Sequence, residues 1–179
     1  MASPVGRREL LGPFLVLIAA TGFSFKAILI KILYAEFPVD PETLLALRML
    51  FSLPFFLLMA ALSGDSSRPL ARGDMFMLVA MGFVGYYLSS YLDFLGLQYI
   101  PAGLERLILF MQPTIVVLLS ALLFKTAIRR HHAISLALSY TGIALVFASN
   151  LKLAHDPHAV LLGGGLVFLS AFAFAIYML

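Results

Sequence analysis

The segment Leu97–Phe124, LQYIPAGLERLILFMQPTIVVLLSALLF, begins as a turn and ends as a run of side chains suited to lipid. From Ala102 onward it is long enough to cross a bilayer as a helix, since about 20 apolar residues span about 30 Å of hydrocarbon. Yet Glu105 and Arg106 stand side by side in its first turns, and Gln112-Pro113 interrupt its middle. Two charges and a helix-breaker within an apolar run make it a span with polar business inside the membrane.

The rest of the chain supports the membrane reading. Of the 179 residues, 62% are hydrophobic and 12% charged, far from the composition of a soluble domain. Six apolar segments are expected to be helices: Leu10–Leu33, Thr43–Leu62, Met75–Leu95, Ala102–Phe124, His132–Ser149 and Ala159–Leu179. The runs are continuous and lack the alternation of a membrane barrel, so the expected fold class is all-α, a polytopic transmembrane helix bundle. The connections EFPVDPE (36–42), SGDSSRPLARGD (63–74) and QYIPAG (98–103) are short, which makes consecutive helices antiparallel neighbours. A charged start before the first span resembles a signal peptide. Its apolar pattern, however, runs on past Lys26, too far for a signal core.

Orientation follows from the basic residues. Arg7, Arg8, Arg68, Arg72, Lys125, Arg129 and Arg130 fall at alternate ends of the spans, while the opposite loops contain only Lys152. Basic loops stay in the cytoplasm, so both termini are expected there, in a multi-pass protein of the plasma membrane (the inner membrane of a bacterium). The net charge of +3 is thus mainly a record of topology. No basic stripe interleaved with aromatics indicates nucleic-acid binding.

Six charges lie within the spans: Lys26, Lys31, Arg48, Asp93, Glu105 and Arg106. Each costs roughly 2.5–3.5 kcal/mol at a helix centre, and intramembrane charges mark functional sites by default. Although the helices alternate in direction, all six fall in the outer half. They describe a polar chamber with an excess of positive charge, suited to a small anionic substrate. Tyr86, Ser89, Ser90 and Asp93 share one helix face, Ser52 is one turn from Arg48, and Gln112 is two turns from Glu105 on the same face. Pro113 leaves the carbonyl of Leu109 without its helical donor, a candidate hinge at midplane. The candidate substrate-binding residues are therefore Lys26, Arg48, Asp93, Glu105, Arg106 and Gln112, with Lys26 the deepest.

Structural readings compete with this one. Asp93 can pair with Arg48 or Arg106 simply to pin helices. Lys31 is expected to snorkel to the headgroups, and Glu105 suits a helix N-terminus. HDPH (155–158) and His131-His132 are read as loop and interfacial clusters, and LLGGGL (161–166) as a thin face for close helix packing. With no cysteine, and no serine matched by an intramembrane histidine, neither an enzyme nor a cofactor site is expected.

Several stretches taken together resemble EamA-type transporters of the drug/metabolite transporter superfamily. GLQYIPAGLERLILFMQPTIVVLLSALLF (96–124) is similar to the family's third-to-fourth-helix region, LLALRMLFSLPFFLLMA (44–60) to its second helix with Arg48, and SLALSYTGIALVFAS (135–149) to its fifth. Phe124-Lys125 replaces a usual glycine-glutamate pair, and Thr21-Gly22 stands where a tryptophan is usual. The resemblance divides the chain into a cytoplasmic N-terminus (1–9), a five-helix repeat (10–150), and a loop with the first helix of a second repeat (151–179). It implies a secondary transporter, an exporter or exchanger of small metabolites, in which two inverted repeats rock about a midplane site. Family members carry two repeats, so this chain is expected to be truncated. The alternative is a non-transporting membrane protein, or a half-bundle that needs a second half or partner chain.

Overall fold

The computed structural model describes residues 6–62, 72–125 and 130–179, with side chains over 12–62, 73–125 and 136–179. Within them six helical spans are long and apolar enough to cross a membrane, as the hydropathy requires. The first is α1 (Gly6–Glu36) and the second α2 (Pro41–Leu62). The third consists of α3 (Arg72–Met81), a π-helical turn (Gly82–Leu88) and α4 (Ser89–Tyr99). The fourth is broken into α5 (Ala102–Leu109) and α6 (Gln112–Phe124). The fifth and sixth are α7 (Arg130–Leu153) and α8 (Pro157–Met178). The side chains of Arg7, Arg8, Arg68, Arg72, Arg129, Arg130, His131 and His132 lie outside the described residues.

Several helices run past the apolar segments because polar ends continue them. In α8 the Asp156 carboxylate accepts from the backbone N–H groups of His158 (2.9 Å) and Ala159 (3.2 Å), with Pro157 in the first turn. This satisfies two of the donors every helix start leaves free, and accounts for the acid in HDPH.

The interruption of the fourth span has a local cause. Pro113 has no N–H to give, so the chain tightens before it: Met111 N–H reaches the Ile108 carbonyl (3.0 Å), three residues back. The helix then restarts with Ile115 N–H on the Met111 carbonyl (3.0 Å). Pro113 thus heads a new helix, where a missing N–H costs nothing. The third span departs differently. Its wider π turn contains Gly82 and Gly85, a form concentrated at functional sites.

The core centres on α8. Val160, Gly163, Gly164, Val167, Ser170 and Ala171 are buried along it, while α7 over Leu136–Leu153 buries nothing. Lipid is as apolar as leucine, so membrane helices gain by close backbone approach. Here a Cβ on Gly96 would stand 2.6 Å from Val167 Cγ2 and 2.9 Å from the Gly163 carbonyl oxygen. One on Gly163 would meet Tyr99 Cβ at 2.7 Å and the Gly96 carbonyl oxygen at 3.0 Å. Gly163 and Gly164 therefore make the thin face that their spacing indicated, while Gly165 faces open space. Ala27, Ile30, Leu45, Phe94 and Leu97 form a second buried cluster joining α1, α2 and α4. Phe51, Phe55, Leu122 and Leu138 point outward, where hydrocarbon would cover them.

Candidate functional site

A cavity of about 370 Å³ lies where α1, α2, the third span, the fourth span and α8 converge. Phe23 and Lys26 enter from α1 and Arg48 from α2. Tyr86, Ser89, Ser90 and Asp93 come from the third span, Leu109 and Gln112 from the fourth, and Ser170 and Phe174 from α8. A second cavity among Ile108, Tyr140, Phe147 and Phe168 is lined almost wholly by apolar groups. Of these two, the first brings charges from several spans together.

Asp93 is 3% exposed, and its Oδ2 lies 2.5 Å from Lys26 Nζ. The expected partners Arg48 and Arg106 do not pair with it. The cause is helix rotation: α1 turns Lys26 toward α4, which puts the ammonium on the carboxylate first. Lys26 also lies 5.6 Å from the Phe23 ring centroid and 5.2 Å from that of Phe94. Arg48 also lies against Phe94, at 5.8 Å, and stands 5.6 Å from the Tyr86 ring, whose hydroxyl its Nη2 reaches at 3.5 Å. Its Nη1 is buried and makes no hydrogen bond. Desolvated rings of this kind steady a cation by up to about 2 kcal/mol without neutralising it.

Glu105 is wholly buried and turned inward, and its carboxyl neighbours that of Asp93. Arg106 Nε is 3.3 Å from Glu105 Oε2, close enough to attract but out of line, so neither atom makes a hydrogen bond. The guanidinium is spent elsewhere: its Nη2 donates to the Phe23 carbonyl (2.9 Å) and its carbon lies 4.7 Å from the Phe23 ring.

Other expected participants are placed differently. The Lys31 ammonium donates to the carbonyls of Leu97 (2.7 Å) and Gln98 (3.3 Å), closing the C-terminus of α4. Ser52 turns back on the Met49 carbonyl (3.1 Å) and does not reach the cavity. Gln112 lines the cavity and donates to Met178 Sδ (3.2 Å). Pro113 is exposed outside it, at the break between α5 and α6.

Four lining or bracing groups were not singled out by sequence reasoning. Phe23 and Phe94 carry the cations, and Ser170 donates to the Ser89 carbonyl (2.7 Å) with Phe174 one turn on. Phe23 stands three residues before Lys26 and Phe94 beside Asp93, so helical spacing from the charges would have found the first. Ser170 is the polar exception in an otherwise apolar α8 interior.

Comparison with known proteins agrees with this architecture. Residues 10–148 match the EamA-like transporter family. The chain is also 30% identical over 114 residues to "Uncharacterized transporter YcbK" of Bacillus subtilis (strain 168), an alignment covering 62% of this chain. It spans 35% of that protein's length. No solved structure matches. With a multi-pass helical bundle and a family match over most of its length, the chain belongs to the EamA-like transporter family.

Proposed function

We propose that the chain forms the substrate-binding part of a secondary transporter, moving a small anionic molecule across the plasma membrane by alternating access. The observation that carries this reading is Arg48: a buried Nη1 without a hydrogen bond, on a cation held between two rings, at the wall of the cavity. A buried donor left unmade costs about 1–3 kcal/mol, and a carboxylate would supply its partner. Lys26, Arg48 and Arg106 outnumber Asp93 and Glu105 by one charge, and the cavity as a whole favours an anion. Phe23, Leu109 and Phe174 add apolar walls for the rest of the substrate. Gln112 and Ser90 supply further polar groups. Both termini are taken as cytoplasmic on the distribution of loop arginines and lysines.

Alternating access needs elements that can move against one another. The break at Phe110–Met111, with Pro113 just beyond it, gives the fourth span a joint at the level of Gln112. A second bundle, from the same polypeptide or from a partner chain, would close the site from the other side of the membrane.

The test is flux into lipid vesicles containing the chain together with the second bundle that co-purifies with it from its native membrane, using labelled small carboxylates, amines and neutral solutes. Carboxylate uptake should exceed that of protein-free vesicles. Arg48→Met should raise its KM by about ten- to a hundredfold, the worth of one charge-assisted hydrogen bond. Uptake indifferent to Arg48→Met, or confined to amines, would refute the assignment.

A further inference from the structure

Five buried polar atoms among the described residues make no hydrogen bond: Arg48 Nη1, Asp93 Oδ1, Glu105 Oε1, Glu105 Oε2 and Arg106 Nε. Three of the five belong to two neighbouring carboxyls. Glu105 is sealed from solvent on every side, so water does not hydrate it. Lys26 donates to Asp93 Oδ2 and Arg106 to the Phe23 carbonyl, while Asp93 Oδ1 and both Glu105 oxygens accept from neither. Two carboxylates held together at low dielectric repel, and neither can donate to the other. A single proton changes this, because one carboxyl then becomes a donor and the other accepts from it.

We propose that Asp93 and Glu105 together form a proton-binding site, taking up one exchangeable proton between their unpartnered carboxyls. This rests on the reading of the adjoining cavity as a transport site. The groups facing Glu105 are Asp93 from the third span, Lys26 from the first and Arg106 beside it in the fourth. Tyr34 of the first span, whose hydroxyl donates to the Phe94 carbonyl, is the further titratable group near Asp93, and from the second span Arg48 reaches the Phe94 ring. The sixth span packs on the fourth with apolar side chains, Val160 and Val167 against Leu104 and Ile108.

The charge balance gives the proton a direction. Without it, three cations face two carboxylates; with it, they face one. The added positive charge strengthens the pull on an anion at Arg48, and by linkage the anion strengthens the hold on the proton. A proton and a carboxylate then load together and cross together.

The proton can be measured without knowing the substrate. Infrared difference spectra of the full chain in lipid, between acidic and alkaline buffers, should show loss of the C=O band of a buried carboxylic acid. Glu105→Gln should abolish that change. Should the substitution prevent folding, wild-type chain carrying carboxyl-labelled aspartate and glutamate keeps the test open, since the band must shift with one label or both. A spectrum with no such band, or a band unmoved by both labels and by Glu105→Gln, overturns the proton site. In the vesicle assay an inwardly directed proton gradient should accelerate carboxylate uptake, and the acceleration should vanish in Glu105→Gln. Flux that ignores the gradient, with no infrared band, removes the proton site and leaves the transporter; a band without flux does the reverse.

Discussion

Replacing Lys26 by methionine removes an ammonium and keeps most of the apolar stem. Asp93, 3% exposed, then loses the partner 2.5 Å from its Oδ2. Removing one member of a buried pair costs about 3–5 kcal/mol, because the other is left uncompensated. Lys26→Met should therefore lose about 3–5 kcal/mol at pH 7. Denaturation in mixed micelles, followed by far-ultraviolet circular dichroism since the chain has no tryptophan, measures this. The double variant Lys26→Met/Asp93→Asn removes both charges and should recover at least about 1 kcal/mol over the single one. A single variant within about 1 kcal/mol of wild type at pH 7, or a double variant no better than the single, would refute the reasoning.

Two further changes probe the scaffold. Gly96→Val should cost at least about 1–3 kcal/mol, since its first side-chain carbon would meet both Val167 and the Gly163 carbonyl; micelle denaturation would show a smaller loss if that crossing is not tight. Asp156→Ala should cost about 1 kcal/mol by freeing the N–H groups of His158 and Ala159, read as faster amide exchange at the start of α8 with the cavity unaltered.

The spans were legible because continuous hydropathy and length decide them, and the break at Gln112-Pro113 because a missing N–H is a local property. That charges from several spans meet was legible too, since Lys26, Arg48 and Asp93 do line one cavity. Their pairing was not. Whether Asp93 meets Lys26 or Arg48 depends on how each helix is rotated, which is set by contacts such as Gly96 on Gly163 between segments far apart in the chain. Lys31 shows the same limit: only the folded chain sets the end of α4 beside it and offers it carbonyls. The π turn at Gly82–Leu88 carries no hydropathic signal at all. The central place of α8 was foreshadowed only by the glycines at 163–165, which indicate closeness without naming the partner.

That central place bears on how the protein is made. Synthesis runs from the N-terminus, so the helix most deeply enclosed is inserted after the third, fourth and fifth spans that it packs against. Until it arrives, Gly96 and the Ser89 carbonyl have lipid or translocon beside them in place of Gly163 and Ser170. The ionic partners need no such wait: Lys26, Asp93, Glu105 and Arg106 all belong to the first four spans and can find one another during insertion. The costly charges are thus sheltered early, and the sixth span locks a cluster already assembled.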